Sequence, residues 1–224
     1  TPEPLTMSRL SRLLVTPLLL LALCCAWLSW ALDIPNEATA ARYGPRAQQI
    51  YREWTDVMRT ASSAGEAEQL KLVNQFLNRR IQFRDDMEIW GKSDYWATPL
   101  EMFSKGAGDC EDYSIAKYLS LRALNIPADK LRLVYVKARI GGAQSNVTQA
   151  HMVVAYYPAP DAEPLILDNL LTTILPASER PDLIPVFSFN ASSVWIGNTV
   201  RSGAERLTRW QDLLTRARNE GFRY

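Results

Sequence analysis

Once an N-terminal apolar stretch is set aside, this chain has a single cysteine, Cys110, and a single histidine, His151. The other two cysteines, Cys24 and Cys25, both fall inside that stretch. One cysteine cannot pair within its own chain, so the fold has to hold by packing alone, without a disulfide framework. Cys110 is then either a small buried hydrophobe or a thiol kept for chemistry. Asp168 follows His151 on a second apolar run, which offers a nucleophile, a base and an orienting carboxylate in the order Cys, His, Asp.

The N-terminal stretch reads as an export signal. Met7 is followed by Arg9 and Arg12, an apolar run from Leu13 to Leu23, and a continuation through Trp27 to Leu32. Ser29-Trp30-Ala31 supplies small residues where a signal peptidase reads them, so cleavage is expected after Ala31. Residues 1–31 are assigned to the signal and its upstream residues, and residues 32–224 to one domain. An uncleaved inner-membrane anchor is the alternative, because the run approaches the ~20 residues of a membrane span. Pro17 and Ser29 weaken that alternative, and Leu23 before Cys24 is a poor match to a lipoprotein signal.

The remaining 193 residues suffice for one domain with a substantial core. Without Glu3, Arg9 and Arg12 they carry 23 basic and 23 acidic side chains. A balanced charge argues against nucleic acid, whose binding needs a basic face to displace condensed counterions.

Periodicity gives the outline. Apolar positions recurring at three and four from Tyr43 to Met58 predict an amphipathic helix, and a second begins at Glu66 and ends near Arg79-Arg80. Asp85 to Ser104 reads as a loop region. Its aromatics Trp90, Tyr95, Trp96 and Phe103 either line a cleft or fill core, and Asp85, Asp86 and Glu88 read as a solvated acidic cluster. Gly106-Ala107-Gly108 approaches Asp109, a preferred N-cap, so Cys110 to Leu124 is expected to be a helix with the thiol in its first turn. Asn125-Ile126-Pro127 stops it. Strands are predicted at Leu131–Ala138, Ala150–Tyr157, Leu165–Leu167, Val186–Phe189 and Val194–Ile196, with a closing helix from Glu205 to Arg218. The class is α+β: helices first, then an antiparallel sheet.

A thiol is mostly protonated at neutral pH, and the thiolate is the attacking species. A helix N-terminus and a neighbouring imidazolium both favour the anion. Asp168 would fix the imidazole's tautomer, and the Cys110 N–H, or an indole N–H from Trp90 or Trp96, could serve an oxyanion. Asp109, Glu111 and Asp112 oppose thiolate formation unless something neutralises them. Calcium is the natural candidate, since it takes hard oxygen ligands. Acidic residues in a first helical turn also occur for dipole reasons alone.

Gly108-Asp109-Cys110-Glu111-Asp112-Tyr113, with Ala150-His151-Met152-Val153, Leu167-Asp168-Asn169 and Tyr95-Trp96-Ala97-Thr98-Pro99, resembles the bacterial transglutaminase-like cysteine proteases, in particular the LapG type. Papain itself is excluded by spacing, because its histidine lies ~130 residues after its cysteine and the interval here is 41. The resemblance implies a papain-like transglutaminase core with Cys110 as nucleophile, His151 as general base and Asp168 as orienter. It implies calcium held by Asp109 and Glu111, with Asp112 as a further ligand. It also implies a periplasmic endopeptidase that cuts a large outer-membrane-associated adhesin near its N-terminus at a pair of alanines, releasing it and dispersing a biofilm. The partner it implies is an inhibitory inner-membrane cyclic diguanylate receptor of the LapD type. The same triad performs amide transfer in transglutaminases, so a cross-linking acyl transferase is one alternative. A non-catalytic periplasmic binding module is another.

Overall fold

A computed structural model describes residues 32–197 and 199–224. The expected export signal and its cleavage site at Ala31 lie outside the described residues, and no helix among those described is long and apolar enough to cross a membrane.

The order is three helices (α1, Glu37–Ala41; α2, Pro45–Ser62; α3, Glu66–Arg80), a short strand β1 (Gln82–Phe83), two more helices (α4, Asp86–Trp90; α5, Pro99–Lys105) and a second short strand β2 (Ala107–Gly108). Helix α6 (Cys110–Ala123) comes next. Seven strands follow: β3 (Leu131–Arg139), β4 (Thr148–Tyr156), β5 (Leu165–Leu167), β6 (Leu175–Pro176), β7 (Leu183–Phe189), β8 (Ser193–Ile196) and β9 (Thr199–Gly203). Helix α7 (Thr208–Glu220) closes the order. This is the expected α+β arrangement.

The main sheet has the order β6-β5-β4-β3-β7-β8-β9, antiparallel throughout. Alternation along β3 and β4 divides it into two faces. Leu131, Leu133, Met152 and Val154 join the main core with the helices, whereas Val134, Val136, Val153 and Ala155 form a smaller cluster. Helix α6 is the centre of the main core: Asp112 through Leu121 are all buried, as expected of a helix enclosed on every side rather than amphipathic.

Two stretches differ from the sequence-based outline. The region from Asp85 to Ser104 holds α4 and α5 rather than a continuous loop. Helix α5 forms because Thr98 and Glu101 make a reciprocal capping box: Thr98 Oγ1 accepts from the Glu101 N–H at 3.2 Å and Glu101 Oε2 accepts from the Thr98 N–H at 2.8 Å. Pro99 suits the first helical position, and Leu100, Met102 and Phe103 are buried below it. At the C-terminus, Ala204–Arg206 form a 3-10 turn, so α7 starts at Thr208 and not at Glu205.

Candidate active site

A small parallel ladder builds one half of the site. Gln82 pairs with Ala107 and Phe83 with Gly108, and the Arg84 N–H donates to the Gly108 carbonyl at 3.1 Å. The chain entering α4 is thereby tied to the chain entering α6. Asp86 is brought beside Asp109 and Asp112, and one carboxylate oxygen from each lies within 4.8 Å of the others.

Asp86 is thus no part of a solvated cluster. It is buried, at 5% exposure, because its Oδ2 is needed inside to accept the Tyr95 N–H. Asp112 is 1% exposed, and its Oδ1 accepts the Ala97 N–H at 2.7 Å. Asp86 Oδ1 and Asp112 Oδ2 have no hydrogen-bond partner. A Cβ added at Gly108 would stand 2.8 Å from Asp112 Cβ and 2.9 Å from its Oδ2, so only glycine leaves this space open. Burial, then the charges of Asp112, Glu111 and Asp86, pushes the Asp109 carboxyl up to about 9. Burial likewise raises Asp112 well above the carboxylate range. Two buried carboxylates and the half-buried Asp109, converging with Asp86 Oδ1 and Asp112 Oδ2 unpaired, are a donor set for a hard cation. Calcium fits these residues.

Of the three sequence-proposed metal ligands, the structure gathers Asp109 and Asp112, joined by Asp86. Glu111 instead reaches Cys110: Sγ and Glu111 Oε2 are 2.8 Å apart. The thiol's hydrogen bond therefore goes to a carboxylate, not to the imidazole. Burial, the Glu111 charge and hydrogen bond, and Asp109 all push the Cys110 thiol up, while the Met152 N–H works in the other direction. The thiol sits at the start of α6, whose N-cap Asp109 is in place as expected. It lies against the residue next to His151 on β4, and Ser114, one turn further on, donates to the Met152 carbonyl at 2.9 Å.

The second half of the site is the His151–Asp168 pair. Both are buried, at 4% and 1% exposure, and His151 Nε2 is 2.8 Å from Asp168 Oδ1. Burial alone would raise the Asp168 carboxyl. The His151 hydrogen bond and charge, the Leu170 N–H and the Arg180 guanidinium outweigh it and hold the group below its ordinary range. With Nε2–H committed to Asp168, Nδ1 is the imidazole nitrogen left to accept a proton. Asn78 on α3 fixes the backbone here by donating to the Asp168 carbonyl at 2.7 Å.

Three neighbours escaped the sequence reading. Asp86 reads from sequence as part of a solvated acidic cluster, and Asn78 on α3 carries no local signal. Lys117 gave one: it is a lone cation in the otherwise apolar or small-residue centre of α6, fully buried, and burial lowers its ammonium to about 7 although the Asp168 charge opposes the shift. Trp90 and Trp96 both have a buried indole N–H with no partner.

The family model of the bacterial transglutaminase-like cysteine proteinases, BTLCP, matches residues 45–195, which span the carboxylate cluster, Cys110, His151 and Asp168. No curated protein matches the chain in sequence. Among solved structures, Legionella pneumophila LapG is 37% identical with a TM-score of 0.70, over 81% of this chain and 94% of that one. EGTA-treated Legionella pneumophila LapG is 37% identical at TM-score 0.71, over 81% and 95%. The calcium-bound form is 38% identical at 0.69, over 80% and 96%. The antiparallel sheet behind a helix that starts at the cysteine is the transglutaminase-like fold of those enzymes, and the chain belongs to the bacterial transglutaminase-like cysteine proteinases.

Proposed function

We propose that this chain is a periplasmic, calcium-dependent cysteine endopeptidase that cuts a large outer-membrane-associated adhesin near its N-terminus at a pair of alanines, releasing it and dispersing a biofilm. The observation that carries the reading is the placement of Cys110 at the first turn of α6, against the strand that holds His151 in its 2.8 Å pair with Asp168. The likeness to LapG in calcium-bound and EGTA-treated forms supports calcium as its ion. The motif resemblance supports the adhesin substrate and an inhibitory cyclic diguanylate receptor of the LapD type in the inner membrane.

In this reading His151 Nδ1 takes the thiol proton, and the thiolate attacks the scissile carbonyl carbon. The Cys110 N–H, with an unpaired indole N–H of Trp90 or Trp96, donates to the oxyanion. The imidazolium returns its proton to the leaving amine, which departs and leaves an acyl-enzyme. His151 then deprotonates a water, the water attacks the acyl carbon, and the thiol is regenerated with release of the acid product. Asp86, Asp109 and Asp112 would hold calcium, whose charge would let these three carboxylates stay ionised with less opposition to the thiolate.

The test is cleavage of a purified N-terminal adhesin fragment by the Leu32–Tyr224 protein, with calcium and with a chelator. The expected result is discrete cleavage that needs both calcium and Cys110. A folded Cys110→Ala protein that still cuts would overturn the nucleophile assignment. Amine incorporation without cleavage would make the enzyme an acyl transferase.

A further inference from the structure

Asp168 has two carboxylate oxygens, and each has its own partner. Oδ1 faces His151 and accepts the Leu170 N–H at 3.0 Å, while Oδ2 accepts from Arg180 Nη2 at 2.7 Å. Arg180 is itself 3% exposed and is also gripped by Asp182, with Nε to Oδ1 at 2.9 Å and Nη2 to Oδ2 at 2.8 Å, so that Nη2 serves both carboxylates. That forked contact fixes the plane of the guanidinium. Backbone bonds fix the loop that carries it: Arg180 N–H to the Ala177 carbonyl at 3.0 Å, Leu183 N–H to the Arg180 carbonyl at 3.1 Å, and Arg139 N–H at the end of β3 to the Asp182 carbonyl at 2.8 Å.

Without Arg180, Oδ2 loses that partner and the carboxylate can swing away from Nε2, which frees the imidazole to exchange tautomers. Held through both oxygens, it stays opposite Nε2 and keeps the imidazole in the Nε2–H tautomer. From this geometry, and resting on the cysteine-peptidase reading above, we propose that Arg180, clamped by Asp182, is a positioning residue that orients Asp168 so that His151 presents Nδ1 as the base. Lysine would supply the charge without the fork. Arg180 makes no hydrogen bond to the thiol or the imidazole, so its effect passes through Asp168.

The chain's single histidine makes a direct measurement available. In a 15N-histidine-labelled Leu32–Tyr224 protein, one imidazole reports its tautomer without any substrate. The parent is expected to show the Nε2–H tautomer alone, and Arg180→Ala a mixture of both. In parallel, kcat on the adhesin fragment, counted per thiol titrated with iodoacetamide, should fall on the order of 10- to 100-fold with KM unchanged. Arg180→Lys should recover part of the loss. Should Arg180→Ala fail to fold, Arg180→Lys and Asp182→Asn carry the test through the same two readouts. A merely structural arginine would lower thermal stability and leave the tautomer and the kcat per titrated site at parental values in the folded variants, and that result overturns the proposal. The tautomer is read independently of turnover, so a Cys110→Ala protein that still cleaves would remove the nucleophile reading while the Arg180 result stands separately.

Discussion

Asp86 precedes Asp109 by 23 residues, yet their carboxylates share one site with Asp112. Without a cation, each charge there is opposed by burial and by its neighbours, which is why Asp109 rises to about 9. Asp86→Asn keeps the shape and an oxygen for the Tyr95 N–H while removing one charge. It is expected to raise the melting temperature measured in chelator, because one source of repulsion is gone. The calcium-induced increase in melting temperature should shrink, with calcium affinity by calorimetry falling on the order of 10- to 100-fold. Parental affinity in the variant would remove Asp86 from the ligand set. Gly108→Ala tests the same site sterically: its Cβ would stand 2.8 Å from Asp112 Cβ, so Asp112 has to move and calcium affinity is expected to fall even though no ligand is deleted. The Cys110 motif and Asp109 were legible as residues because capping and dipole preferences are local. Asp86 was not, since pairing of β1 with β2 brings it in and no spacing rule encodes that pairing.

Among the elements, α5 shows how a local signal can be present and go unused. Thr98-Pro99-Leu100-Glu101 is a capping box with proline at the first helical position, but the density of aromatics around it favoured a loop. Thr98 is fully buried, and its hydroxyl also donates to Glu220 Oε1 at 2.6 Å. Thr98→Val therefore removes a cap and a buried acceptor's partner together. A loss of roughly 2 kcal/mol or more is expected in urea unfolding, above the ~1 kcal/mol of a cap alone. A loss below that would mean that the Glu101 side of the box suffices to start α5. The long elements were legible for a different reason: α2, α3, β3 and β4 carry sustained periodicity, which local sequence records. Strand β6 has only two residues and β9, Thr-Val-Arg-Ser-Gly, has no apolar run, so each acquires its identity from a neighbour, β6 from β5 and β9 from β8.

At the scale of the whole molecule, Glu220 at the end of α7 joins segments far apart in the chain. Its Oε1 accepts from Tyr43 Oη and from Thr98 Oγ1, both at 2.6 Å, while Oε2 has no partner. Burial is the main cause that raises this carboxyl to about 7, and the two hydrogen bonds only partly offset it. An acid whose folded pKa lies above its unfolded value binds more proton in the folded state. Its contribution to stability is therefore complete below the unfolded value of 4.5 and is lost as pH rises through about 7. The slope this one group adds is at most about 1.4 kcal/mol per pH unit in that window. Glu220→Gln keeps an acceptor for Tyr43 and Thr98 and cannot ionise. Its melting temperature relative to the parent is expected to climb between pH 5 and pH 8, with the variant ahead at pH 8. A difference that stays flat over that range would mean that Glu220 is ionised in the folded protein at both ends, its charge held by Tyr43 and Thr98 with help from Arg216.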